Sequence, residues 1–168
     1  GATTRATKFA YYENGALKSM TDPNGNVTRW TIDLQSRPIV KRYADGKTER
    51  TTYEATTSRV KTLTDALQQV KRYTYGLDDR LTGITYANAS NPTPNVSLAW
   101  DGYFPRLTRM TDGTGVTRYA YVPVGSNGAL RLAKIDGPYA NDPITLTYDA
   151  LGRLNARNIQ GGNESFAY

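Results

Sequence analysis

The chain contains no cysteine and no histidine. Without cysteine there is no disulfide, no thiolate nucleophile and no cysteine-based metal site. Without histidine the commonest general base and the commonest zinc ligand are also gone. No stretch approaches the roughly 18 consecutive apolar residues of a membrane-spanning helix, so no membrane insertion is expected. The opening Gly1 to Lys8 is polar and shows no secretory leader. The sequence reads as an internal segment of a longer chain, so that absence says little about export of the parent. Blocks of like charge are missing too. The 21 Lys and Arg exceed the 15 Asp and Glu, for a net charge of +6. Yet Arg29, Lys41, Arg42, Lys71, Arg72 and Arg118 are dispersed through strand-like segments. They read as solvated strand faces, and the basic–aromatic pairings Lys71-Arg72-Tyr73 and Arg118-Tyr119 as strand residues rather than a nucleic-acid footprint.

What the chain has is a period. A Tyr-centred unit recurs about every 20 to 27 residues, most fully as Tyr148-Asp149-Ala150-Leu151-Gly152-Arg153-Leu154. Partial copies begin at Tyr12 (with Gly15 and Leu17), Tyr75 (with Arg80 and Leu81) and Trp100 (with Arg106 and Leu107). An Arg-Leu type pair, as at Arg59-Val60 or Arg131-Leu132, is followed by an apolar residue and a turn, then by a second apolar segment leading to the next aromatic. Taking Leu17, Ile39, Val60, Leu81, Leu107, Leu132 and Leu154 as equivalent gives spacings of 22, 21, 21, 26, 25 and 22 residues. That defines one array over 1–168 of about seven degenerate repeats, and a fixed period points to a repeat architecture.

Thirteen Tyr and frequent Thr favour strands, since aromatic and β-branched side chains suit a pleated surface. Strict alternation at Val96-Ser97-Leu98-Ala99-Trp100 and Ile144-Thr145-Leu146-Thr147-Tyr148 marks strands with one covered face. No amphipathic helix is expected. Two strands and two turns fill each unit, and the short turns force antiparallel pairing. The fold class predicted is all-β, a repetitive array of antiparallel β-hairpins whose units bury one continuous seam. The segments 87–95, 122–129 and 137–143 are loop insertions; if they share a face, that face is the first candidate for contacts. Open strand edges at both ends invite further repeats or edge-to-edge self-association.

The match of Tyr148 to Leu154 with Tyr-Asp-x-x-Gly-Arg-Leu makes the whole chain resemble a segment of an RHS/YD-repeat protein. That family spans bacterial Rhs toxins, insecticidal toxin complex B and C components, wall-associated proteins and teneurins. The resemblance implies a β-sheet ribbon spiralling into a hollow shell, secreted or at the cell surface. Such a shell encloses a toxin or other polypeptide cargo, and its partners are neighbouring repeats of a longer parent chain. The family's Asp-Pro-x-Gly-Leu self-cleavage motif is not met: Asp22-Pro23-Asn24-Gly25 is followed by Asn26 and reads as a turn. Self-cleavage is therefore not carried over.

The repeat residues take structural roles: Tyr12, Gly15, Leu17, Tyr53, Val60, Tyr75, Arg80, Leu81, Trp100, Arg106, Leu107, Tyr121, Leu132, Tyr148, Asp149, Gly152, Arg153 and Leu154. Tyr packs on its neighbour strand, Asp149 caps its turn, Gly152 allows a left-handed conformation, and Arg153 bridges to the next unit. No catalytic, cofactor or metal residue is assigned. Asp78-Asp79 is the only adjacent acidic pair and lies in a turn. Asp22 to Asn26 has alternating oxygens but Val27 where a calcium loop needs Gly. Trp30, Trp100 and Tyr103 are the candidates for glycan contact, which would suit the alternative reading, an extracellular adhesion module binding carbohydrate or a protein receptor.

Overall fold

The computed structural model describes residues 6–168. Among them every regular element is a strand: β1 (Lys8–Tyr11), β2 (Leu17–Thr21), β3 (Val27–Ile32), β4 (Pro38–Arg42), β5 (Thr48–Tyr53), β6 (Val60–Thr64), β7 (Val70–Tyr75) and β8 (Leu81–Ala87). They continue with β9 (Val96–Trp100), β10 (Leu107–Asp112), β11 (Gly115–Tyr121), β12 (Leu132–Asp136), β13 (Ile144–Tyr148), β14 (Leu154–Ile159) and β15 (Gly162–Ser165). Strand order is strictly sequential in one 15-stranded antiparallel sheet. The two alternating segments read from the sequence are β9 and β13, with the same bounds. By contacts the chain forms two compact units. The first holds the residues up to Thr74 with Ile84–Thr93; the second holds Tyr75–Gly83 with Pro94–Tyr168.

One backbone device makes seven of the fourteen strand-to-strand turns. In the five-residue turns starting at Tyr12, Asp22, Asp33, Tyr43, Asp65, Gly76 and Asp149, the first N–H donates to the fifth carbonyl. The first carbonyl accepts from the fourth N–H. The fourth residue has positive φ in each: Gly15, Gly25, Ser36, Gly46, Gln68, Asp79 and Gly152. This is a type I turn closed by a residue in the left-handed region, the usual three-residue hairpin loop. Glycine takes that conformation without cost. Ser36, Gln68 and Asp79 hold it against a Cβ penalty of about 1 kcal/mol, so the turn is dictated by the strands and not by glycine alone.

A second device sits just after the turns that follow β1, β3, β5, β9, β11 and β13. Opposite Tyr11, Ile32, Tyr53, Trp100, Tyr121 and Tyr148 lie Leu17, Pro38, Val60, Leu107, Leu132 and Leu154. The next residue on the even strand (Lys18, Ile39, Lys61, Thr108, Ala133 or Asn155) is an extra one, a β-bulge. This corrects the anchor register: Pro38, not Ile39, is equivalent to Val60 and Leu107. Proline fits as the first residue of a strand, where its missing N–H breaks no ladder bond. Likewise Tyr11, not Tyr12, pairs with Leu17, and Tyr12 stands where Asp149 does in its own turn.

The expected buried seam is only half formed. No described hydrophobic side chain is buried, and Gly83 alone among described residues is classed as buried. A single layer has no second sheet or helix to cover either face, so its side chains can bury only against their neighbours on the same face. The insertions also do not share an edge. Within the second unit, 122–131 joins β11 to β12 at one end of the strands, while 137–143 joins β12 to β13 at the other.

Candidate functional site

The turns after odd strands carry the side-chain chemistry. In the first unit, Asp33 Oδ1 accepts the N–H groups of Gln35 and Arg37, each at 2.9 Å, and Oδ2 accepts Arg37 Nε at 2.8 Å. In the second, Asp149 Oδ1 accepts from Leu151 at 2.9 Å and Arg153 at 2.8 Å, and Oδ2 from Arg153 Nε at 2.7 Å. Asp101 and Arg106 repeat the buckle at 2.8 Å, and Glu54 with Arg59 does so at 2.6 Å. At Asp33, Asp101 and Asp149 one carboxylate thus closes the turn's backbone and fixes the arginine that ends it, whereas Glu54 takes only the Arg59 side chain and the Thr57 hydroxyl.

These contacts hold the acids below the usual carboxylate range. For Asp149 the main cause is the backbone N–H of Arg153; partial desolvation pushes upward, and the Arg153 guanidinium lowers it further. For Asp101 the N–H of Tyr103 leads, then the Arg106 side chain. At Asp33 and Glu54 desolvation is the largest single effect and pushes upward, but the hydrogen bonds and charge of Arg37 with the Gln35 N–H, and of Arg59 with the Thr57 hydroxyl and the Lys61 charge, together outweigh it.

The fixed arginine faces the aromatic residue of the following repeat. Arg37 lies over the Tyr53 ring, 4.2 Å from its centroid, in the first unit. In the second unit Arg106 lies 4.4 Å from Tyr121, Arg153 4.6 Å from Tyr168, Arg80 5.6 Å from Trp100 and Arg131 5.7 Å from Tyr148. Each of those aromatics donates a hydrogen bond back to the residue after that arginine. Tyr53 reaches the Pro38 carbonyl at 3.0 Å, Trp100 Nε1 that of Leu81 at 2.7 Å, Tyr121 that of Leu107 at 2.7 Å. Tyr148 reaches Leu132 at 2.8 Å and Tyr168 reaches Leu154 at 3.1 Å. At these five places arginine, carbonyl and aromatic form a clasp from one repeat to the next. Cation–π contact contributes roughly 0.5–2 kcal/mol, with the exposed Arg153–Tyr168 pair at the low end.

The clasp explains why an Arg-Leu pair recurs. Leu contributes a side chain and, through its carbonyl, the acceptor for the next ring; Arg supplies the cation over that ring. Sequence reasoning placed Arg153 as a bridge but missed the roles of Arg37, Pro38, Arg131 and Tyr168. The signal was present: an aromatic 14 to 19 residues after the anchor, as at 38 to 53, 81 to 100 and 154 to 168. The first repeat departs from the pattern. Ala16 replaces Arg, and Tyr12 instead donates to the Trp30 carbonyl at 2.7 Å, with Asn14 bonded to Ser36 at 2.6 Å.

The glycan candidates do not form one cluster. Trp30 is half-buried on β3 opposite Lys41 in the first unit. Trp100 is half-buried in a clasp of the second, its indole N–H engaged. Tyr103 is 93% exposed at the tip of the turn after β9. Asp22 Oδ1 accepts from the Asn24 and Asn26 N–H groups and Oδ2 from the Asn26 amide, so this carboxylate is engaged within its own turn. Asp78 pairs with Arg80 at 3.0 Å, and Asp79 occupies the left-handed turn position. Among the described residues no group of three or more acidic side chains is placed to hold a metal ion.

Comparison with known proteins fits this ladder. The RHS Repeat family model matches residues 11–48. No curated protein matches the chain in sequence. Among solved structures it is similar to the crystal structure of TcdB2-TccC3-TEV, with a TM-score of 0.73 at 19% identity over 96% of this chain. It is also similar to a Photorhabdus luminescens Tc holotoxin pore structure containing TccC3, with a TM-score of 0.69 at 15% identity over 95% of the chain. It spans only 10% and 9% of those two chains. At these identities the likeness is one of fold. Over residues 11–48 the chain is thus similar to the RHS Repeat family, and over nearly its whole length it shares the fold of those toxin-complex chains.

Proposed function

We propose that the chain is a structural segment of an RHS/YD-repeat shell, one array over 1–168 whose task is to wall off a toxin or other polypeptide cargo for delivery. The observation that carries this reading is the clasp. Five repeats grip the next through the same three groups, so the sheet extends by addition of units and its strength lies between repeats. A single layer with no covered core suits a wall, which separates two compartments, better than it suits a self-contained enzyme domain. The repeat residues are structural parts of that wall, and its polypeptide partner lies outside these 168 residues. Export to the cell surface or beyond follows from delivery.

The test is limited proteolysis, with mass mapping, of the intact natural protein that contains these repeats. A wall shields a polypeptide segment elsewhere in the protein, and Arg106→Gln with Tyr121→Leu, which opens a clasp, exposes it. Cleavage of every segment at the same rate before and after that change contradicts the reading. A second reading, an adhesion module for carbohydrate or a protein receptor, is favoured by the apolar turn tips. Leu34, Leu77 and Leu151 are exposed there, and Tyr103 offers a ring for sugar stacking. Retention on a glycan array that is lost in Tyr103→Ala would support it.

A further inference from the structure

The registers of the first unit align cations that the sequence shows as scattered. Arg29 lies directly opposite Arg42. Val40 faces Arg50, and Arg50 faces Thr64; Thr64 faces Val70, while Thr62 faces Arg72. Lys8 faces Thr21, which faces Val27. All therefore project from one face of the sheet. They run diagonally across it from Lys8 on β1 through Arg29 and Arg42 to Arg50 on β5 and Arg72 on β7. All five are exposed. Among the described residues none of the five makes an ion pair, and no strand residue of β1–β7 on that face is acidic. Like charges directly opposite each other destabilise a sheet, so the Arg29–Arg42 pair costs stability that folding alone does not explain.

The side chains between the cations are Ser, Thr, Val and Ala. The rings of this unit, such as Trp30, Tyr53 and Tyr73, sit on the opposite face, because successive residues alternate. A nucleic-acid strand or a sugar would need rings for stacking on the cationic face. Carboxylates need guanidinium forks and hydroxyl donors, which are present. The spacing also fits a peptide. From strand separation and rise, Arg42 to Arg50 is about 8 Å and Arg50 to Arg72 about 12 Å. An extended chain presents same-side residues every ~6.8 Å, so acidic residues at i, i+2 and i+6 match the stripe.

We propose that this stripe docks an acidic, extended polypeptide segment. The proposal rests on the wall reading, in which the partner is a polypeptide, and adds its charge and its place of contact.

The test uses the full chain and a labelled oligoglutamate, followed by fluorescence anisotropy. R29Q/R42Q/R50Q/R72Q weakens binding at least about tenfold, whereas a charge-matched control, K18Q/K47Q/K61Q/K71Q, changes it less than about threefold. Circular dichroism checks that both fold. R42E is the second variant: it faces Arg29 as a salt bridge, so it raises the melting temperature while weakening oligoglutamate. No oligoglutamate binding, or equal loss in the control, overturns the proposal. So does binding of heparin or an oligonucleotide through the four arginines without oligoglutamate. If the natural protein still shields a polypeptide while the stripe variants leave oligoglutamate affinity unchanged, the stripe fails and the wall stands. If oligoglutamate binds through the stripe but nothing is shielded, the wall fails and the stripe stands.

Discussion

Turns after odd strands and turns after even strands share one backbone and differ in reach. Asp33 to Arg37 and Asp65 to Gln69 have the same two turn hydrogen bonds and the same left-handed fourth residue. In both, the aspartate caps the backbone. The difference is the fifth residue. The even turns end in Asn26, Lys47 or Gln69, whose contacts include their own turn: Asn26 bonds Asp22, Lys47 pairs with Asp45, and Gln69 bonds Asp65. The odd turns end in Arg37, Arg80 or Arg153, which lie over a ring in the following repeat. Arg37 and Arg80 also reach carbonyls of the next odd turn, Thr57 for the former, Asp101 and Phe104 for the latter. Backbone turn chemistry makes a hairpin; a long planar cation at its end makes a repeat.

The largest effect should come from removing a clasp ring. Tyr121→Ala loses half-buried apolar area, the contact with Arg106 and the hydrogen bond to Leu107, about 2–3 kcal/mol in urea unfolding. Tyr121→Phe isolates the hydrogen bond at about 1 kcal/mol. The even-turn counterpart, Asp65→Ala, removes a cap alone and should cost about 1 kcal/mol, comparable to other lost caps. A loss from Asp65→Ala equal to that from Tyr121→Ala would erase the distinction between the turns.

The left-handed position tests what the two kinds of turn share. Gln68→Gly in an even turn and Ser36→Gly in an odd turn should each stabilise by at most about 0.5 kcal/mol, the relief of a Cβ penalty less the greater entropy of an unfolded glycine. Gly25→Ala should lose about 1 kcal/mol through φ alone, since an added Cβ there meets nothing within 4 Å. Melting temperatures decide both, and a gain at one position without the other would mean the turns differ in backbone after all.

Acid titration is the gentlest probe. Asp33, Glu54, Asp101 and Asp149 on the odd side, and Asp22 and Asp112 on the even side, all have lowered pKa values. A carboxylate depressed on folding stabilises fully above its unfolded value, near 4, and loses that contribution as pH falls through the folded one. Stability followed by fluorescence should therefore be flat from neutral pH to about 5 and fall below about 4. Asp149→Asn should flatten that decline slightly.

Much of this was legible in the sequence, for physical reasons. Period-two alternation gave β9 and β13 their bounds, and Asp-x-x-Gly gave the turn at Asp149. The anchor at Pro38 was misread as Ile39 because a bulge inserts one residue, and a bulge leaves no mark in hydrophobic pattern. Ser36 and Gln68 hid the type of their two turns, since the strands on either side, and not glycine, impose it. The clasp was missed because its partners are a repeat apart, and only the spacing from anchor to the next aromatic marks it. The cationic stripe was hidden because cross-strand register, which no local pattern encodes, brings Arg29 against Arg42.

The account's central claim is that an odd-turn arginine grips the next repeat's ring. A double-mutant cycle on Arg106→Gln and Tyr121→Leu, measured by urea unfolding, tests it most directly. The account predicts a coupling of at least about 0.5 kcal/mol. Additive losses, within about 0.3 kcal/mol, would contradict it and leave the sheet held by its backbone ladder alone.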